Sequence, residues 1–254
     1  MSATPIILSL ETATLGGSVF LGRGSVQLAM RNGDPQVSQS ASLLTDINDS
    51  LEEAGVALRD VDLFACAAGP GSFTGLRIGI ATLKALAASL KRPCVGVPTL
   101  QAIAHAAGRS STTVAVLPAG RGEVFAQLFS VSEDGSVTEL DAAAHLSPPR
   151  LVEKYAALRN AVWAGSGAHL QLDSLKSHAQ QQGIGFVERT HEAHVPPRPQ
   201  RGNTWSLAAK ESNLAKHVAA LALEAFRAGT IQSPHFLSAI YVRPSDAELK
   251  EQCR

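Results

Sequence analysis

A strand ending at Ala67-Ala68 runs through the turn Gly69-Pro70-Gly71 into Ser72 and a helical segment that starts Phe73-Thr74-Gly75-Leu76-Arg77. Glycines let a backbone come close to a ligand, and the unpaired N–H groups at a helix start can hold an anion. The same residues also suffice for a tight strand-to-helix turn with no ligand, Ser72 acting only as N-cap. Metal-ligand types are sparse elsewhere. His191-Glu192-Ala193-His194 is the one close histidine pair. Its spacing is one residue short of HExxH and Pro196-Pro197 follows at once, so it reads as a solvated loop. Cys66, Cys94 and Cys253 are widely spaced with no CxxC pair, the usage of a reducing compartment. Spacing assembles no Ser/His/Asp or Cys/His set. The expectation is no metal, no cofactor and no catalytic residue of the chain's own.

The helix after the turn is more unusual than the turn. Phe73, Leu76, Ile80, Leu83, Ala87 and Leu90 form one apolar seam at three- and four-residue steps. Thr74, Ile78, Ala81, Ala85 and Ala88 form a second seam of mostly small groups, and Arg77, Lys84 and Lys91 make the only charged ridge. A surface helix buries one stripe. A helix with two must pack on its own sheet and also on another helix or a partner, and small side chains let that second body approach closely.

The elements that position these residues repeat. Ile6, Leu8 and Leu10 alternate as a strand, runs 18–21 and 26–30 complete a three-stranded meander, and Leu44, Ile47, Leu51 and Ala54 recur at helical spacing before the stop at Gly55. A buried strand over 61–67, the helix over 72–90, a strand over 94–97 and a helix over 100–107 follow. The pattern then restarts: strands over 113–117, 123–130 and 136–140, a helix over 148–158, a strand over 161–164, and a helix introduced by Gly165-Ser166-Gly167. Meander, helix, strand, helix, twice, is a duplicated α/β layout. The Pro-rich 195–200 reads as a linker or surface loop. An Ala-rich helix over 207–228, closed by Gly229, is expected to return to the first half.

Bulk properties agree with a globular chain that does not grip nucleic acid unaided. The 254 residues carry 22 Lys plus Arg against 22 Asp plus Glu, so there is no basic excess to displace counterions from RNA. The N-terminus lacks the basic and apolar regions of a secretory signal, and no apolar run reaches membrane-spanning length. The expected compartment is the cytoplasm.

With these residues in view the chain resembles the TsaB (YeaZ) family. The resemblance is carried by Ile7-Leu8-Ser9-Leu10-Glu11-Thr12-Ala13-Thr14 and by GPGSFTGLRIGIATLKAL over 69–86. Gly96-Val97-Pro98-Thr99-Leu100, Arg121-Gly122-Glu123-Val124-Phe125 and Ala239-Ile240-Tyr241-Val242-Arg243-Pro244 add to it, so it spans nearly the whole chain. It implies an actin-like (ASKHA) α/β fold of two ribonuclease H-like lobes with mixed sheets flanked by helices. Residues 1–108 plus 207–243 would form the first, partner-binding lobe, 109–206 the second, and 244–254 a flexible tail. It also implies a heterodimer with TsaD, the paralogue that transfers threonylcarbamoyl to the adenosine beside the anticodon of ANN-decoding tRNAs, with the TsaE ATPase joining and tRNA met through the complex. Pairing would use the two first-lobe helices, at Leu44, Ile47, Leu51, Thr74, Arg77, Ile78, Ile80, Ala81 and Leu83. Alone, the chain would cover the same face by forming a homodimer.

TsaD-like relatives carry an HxxxH metal pair on the helix after the first meander; the corresponding stretch here is Gln39-Ser40-Ala41-Ser42-Leu43-Leu44. Two further departures are Glu11, where many members keep Asp, and Pro118-Ala119-Gly120, where Asp-Ala-Arg is frequent. These point to an accessory subunit rather than a catalyst. The alternative is an actin-fold ATPase or kinase with a nucleotide or anion site at Glu11, Thr12, Gly69, Gly71 and Ser72. Arg198, Arg201 and Lys210 are basic residues that could touch tRNA, although isolated basic residues are usually just solvated.

Overall fold

The computed structural model describes residues 4–190 and 203–242. The His191–His194 pair, the Pro-rich 195–200, Arg198, Arg201 and the tail 244–254 lie outside the described residues. The opening meander is β1 (Ile6–Glu11), β2 (Ser18–Arg23) and β3 (Val26–Asn32). Then come α1 (Gln39–Ala54), β4 (Leu63–Gly69), α2 (Phe73–Ser89), β5 (Cys94–Pro98) and α3 (Thr99–Ala106). Gly55 ends α1 in the left-handed region, and the Val56 amide returns to Leu51 O, the closure that only a residue without Cβ accepts easily. The sheet order is β3-β2-β1-β4-β5, with β4 and β5 parallel to β1.

The second half contains β6 (Ser110–Gly120), β7 (Glu123–Val131), β8 (Val137–Glu139), β9 (Ala144–Leu146), α4 (Pro148–Tyr155), β10 (Asn160–Ala164), α5 (Ser166–Leu170), α6 (Leu172–Gln181), β11 (Gly185–Glu188) and β12 (Thr204–Leu207). Its path β8-β7-β6-β10-β12 repeats the first sheet strand for strand and direction for direction, with β11 added beyond β12. Two mixed sheets of ribonuclease H-like order, each flanked by helices, make this an actin-like α/β fold.

The chain closes with α7 (Ala215–Arg227), which packs on β1, β2, β4 and β5 of the first sheet. Every position of β1 and β4 is buried, as a sheet covered on both faces requires. The returning helix therefore exists, but it starts eight residues later than the periodicity suggests. Thr204–Leu207 instead add β12 to the second sheet, where Trp205 is fully buried, its indole donates to Leu158 O, and its ring packs against Trp163 at a 60° tilt with centroids 5.0 Å apart. Asn213 supplies the true start signal by accepting from the Lys216 amide at 3.1 Å. Among the described residues, no helix is long and apolar enough to cross a membrane.

Where α3 meets α7, the imidazoles of His105 and His217 touch, Nδ1 to Nδ1, at 2.8 Å. Burial first, and His217 second, push His105 down to about 4 from its ordinary 6.5. A base depressed in the fold binds its proton more readily in the unfolded chain. Stability is therefore lost as pH falls from about 6.5 towards 4, by about 2–3 kcal/mol from this group. Urea unfolding across that range should show a shallower pH slope for His105→Asn than for the parent.

Candidate partner face and interlobe cleft

The N-terminal half of α2 sits on the loop that follows β1, and glycines make this possible. A methyl group at Gly75 would overlap Thr12 O, and one at Gly79 would overlap Thr12 Oγ1. Gly71 lies against Ala13, where an added Cβ would come within 2.6 Å of both the Ala13 carbonyl and its methyl. The Ser72 amide donates to Ala13 O at 2.8 Å, and Ser72 Oγ caps α2 by accepting from Gly75 N–H at 3.2 Å. Gln39, at the start of α1, donates through Nε2 to Thr14 O at 3.0 Å. The loop over 12–14 is thus a wedge held by the first turns of both helices.

Glu11 ends β1 inside this wedge, almost wholly buried. Its two carboxyl oxygens accept from the Thr14 amide at 2.7 Å and the Thr14 hydroxyl at 2.6 Å. Burial raises its pKa, and the Thr14 contacts oppose that only in part. A carboxyl folded back on its own loop presents no free ligand pair to a cation.

The lobes enclose an open cleft of about 1500 Å³ that Glu11, Gly71 and Ser72 reach, with Pro118-Ala119-Gly120 on the opposite wall. Thr12 and Gly69 do not line it: Thr12 lies under Gly75 and Gly79, and Gly69 lies under Ile240 O. The five residues of the nucleotide or anion alternative are therefore split between the cleft and the packing beneath it. The Ser72 amide that an anion would need is already bonded to Ala13. The wall is largely apolar, with Phe73, Leu15 and Tyr241 exposed at its mouth.

On the outer side, α1 and α2 lie next to each other, and the residues singled out as an interface divide. Leu44 is 63% exposed, Thr74, Arg77 and Ala81 are exposed, and Ile78 is half-buried. Ile47, Leu51, Ile80 and Leu83 are buried in the lobe's own core, Leu83 completely. That corrects their reading as contact residues: they lie on the inner faces of the helices, and a charge there would be stranded in the core rather than placed against a partner. Phe73, assigned to the inner seam, is 38% exposed, with the Arg77 guanidinium 3.7 Å over its ring and the Tyr241 ring at 5.6 Å.

Tyr241 belongs to a terminal strap that periodicity did not reveal. Gln232 pairs with Cys94 through both backbone bonds, Leu237 packs on Gly96, and the Ile240 amide donates to Ala68 O at 2.7 Å. Lys84, one of the charged ridge, donates to Leu237 O at 2.9 Å and His235 O at 3.3 Å. Glycines at 69 and 96 were the available signal, since each marks a close backbone approach inside or beside a strand. The two described thiols offer no nucleophile, because burial pushes Cys66 up to about 12 and Cys94 to about 11. Among the described residues, no group of three His, Cys, Asp or Glu converges as a metal would need.

A family model described as TsaD: tRNA N6-adenosine threonylcarbamoyltransferase matches residues 38–227, well over half of the chain. The chain is 32% identical over 151 residues to the tRNA threonylcarbamoyladenosine biosynthesis protein TsaB of Escherichia coli (strain K12), covering 58% of this chain and 65% of that protein. It is 33% identical over 123 residues to the Haemophilus influenzae protein of the same name, covering 47% of this chain and 51% of that one. The aligned sequence thus spans between half and two thirds of these relatives. The solved structure of YeaZ from Pseudomonas aeruginosa superposes with a TM-score of 0.69 at 26% identity, over 93% of this chain and 99% of that one. The chain belongs to the TsaD-type family that the model describes and, within it, to the TsaB (YeaZ) branch.

Proposed function

We propose that this chain is the accessory, non-catalytic subunit in the formation of N6-threonylcarbamoyladenosine beside the anticodon of tRNA, and that it works by pairing with a TsaD paralogue. The observation that carries the reading is the outward side of α2. Thr74, Ala81, Ala85 and Ala88 are exposed there on a helix whose opposite side fills the core, and Leu44 of α1 stands exposed nearby. Small side chains let a partner's helix approach closely, while Leu44 and the Phe73–Arg77 stack supply larger groups at the margin.

The names of the relatives favour this pathway, and the α1 stretch Gln39–Leu44 holds no histidine with which to bind a metal as TsaD-like proteins do. The lobe that pairs is the first, built from 1–108 and the chain that returns after β12; TsaE joins the pair, and tRNA is met through the complex. With no paralogue present, a second copy of the chain takes the same face. Light scattering of an equimolar mixture with the cognate TsaD should report a one-to-one heterodimer, and Leu44→Lys should weaken it without altering the melting curve. Two species that stay separate at micromolar concentration would refute the pairing.

A further inference from the structure

The chain crosses between the lobes twice, once from α3 into β6 and once from β12 into α7. Both crossings are short. On the first, the Gly108 amide still donates to His105 O and β6 begins at Ser110, which leaves Arg109, ion-paired with Glu133. On the second, the Ala208 amide is tied to Trp163 O of the second lobe at 2.8 Å. Glu211 is tied to the start of α7: its carboxylate accepts from the Asn213 amide at 2.8 Å, Lys216 Nζ at 3.0 Å and His217 Nε2 at 3.1 Å. Only Ala209 and Lys210 lie between those two anchors.

The anchors of the two crossings are joined to each other. Glu211 accepts from His217 Nε2–H, and the other nitrogen of the same ring, Nδ1, meets His105 Nδ1 at 2.8 Å, one ring donating to the other. His105 is the penultimate residue of α3, just before the first crossing, and Glu211 stands on the second. We propose that Glu211, His217 and His105 form a hydrogen-bonded clamp that holds the two interlobe crossings in fixed register and so sets the angle between the lobes and the width of the cleft. The mutual approach of three polar side chains at the two covalent links between the lobes that the described residues contain is what assigns it this role. In this role they are positioning residues, and the proposal stands or falls independently of the pairing with TsaD.

The test is the interlobe distance in the full chain. Spin labels go on Ser40→Cys of α1 and Ser174→Cys of α6, both exposed, in a Cys253→Ser background; the buried Cys66 and Cys94 stay unlabelled. Electron–electron double resonance should give one narrow distance distribution for the parent. His217→Phe keeps the ring volume and removes both hydrogen bonds, and Glu211→Ala removes the acceptor; each should broaden the distribution or move its mean while unfolding remains cooperative. Glu211→Gln keeps an acceptor for His217 and should restore the parental distribution. A His217→Phe distribution that matches the parent in mean and width would overturn the proposal. So would a Glu211→Gln distribution as disturbed as that of Glu211→Ala.

Discussion

Ala81→Arg is expected to abolish pairing with TsaD while leaving the isolated protein as stable as the parent. Ala81 is exposed in the middle of the outward side of α2, so a longer side chain has room in the monomer and none against a closely packed helix. Surface substitutions of this kind usually change stability by less than about 0.5 kcal/mol, whereas a central interface position can be worth 2 kcal/mol or more. Loss of about 3 kcal/mol is over a hundredfold in affinity. Titration calorimetry against the cognate TsaD should read that loss, and the variant's melting temperature should stay within about 1–2 °C of the parent. Leu83→Asp is the instructive contrast: Leu83 is wholly buried, so its charge would unfold the lobe and say nothing about pairing.

Gly79→Ala should clearly destabilise the lobe, second on α2 only to Gly75→Ala, whose methyl would overlap the Thr12 backbone oxygen. The new Cβ would fall on Thr12 Oγ1, and Thr12 is itself held under the helix in the wedge after β1. Overpacking against a fixed group costs about 1–3 kcal/mol and sometimes more, and here the upper end applies because neither α2 nor β1 can retreat from the core. At this chain length that is a fall of roughly 6–12 °C in melting temperature. Gly185→Ala is the matched control, since the nearest atom to a Cβ there is 3.6 Å away and its backbone is not left-handed. Equal melting temperatures for the parent and Gly79→Ala would mean that the helix does not ride on Thr12 as described.

Both predictions turn on the direction in which α2 faces, which is where reading from sequence stopped. A 3.6-residue period tells which side chains share a side of a helix, and it grouped Ala81 with Thr74 and Ala88 correctly. It cannot tell what covers each side, so Ile80 and Leu83 were placed with Ala81 at an interface although they fill the core. Local chemistry was legible where one residue decides the outcome, as with Gly55 ending α1 and Ser72 capping α2. Strand alternation likewise revealed the two meanders and, through them, the duplicated sheet. The strand Thr204–Leu207 was hidden because four residues are too few to separate a period of two from one of 3.6, and Ala-rich sequence after it favours a helix. The strap over 230–242 has almost no pattern of its own; it is held by backbone bonds to Cys94 and Ala68 and by Lys84, all distant in sequence. Glu11 stood out as a departure from Asp, but only the fold reveals that its carboxyl is spent on Thr14.

The measurement that bears most directly on the central claim is formation of threonylcarbamoyladenosine on tRNA by cognate TsaD and TsaE, supplied with threonylcarbamoyl-adenylate, with and without this protein. An accessory subunit that acts by pairing predicts product only when the chain is present and little or none with Ala81→Arg. Full activity in its absence, or with Ala81→Arg after pairing is lost, would contradict the claim.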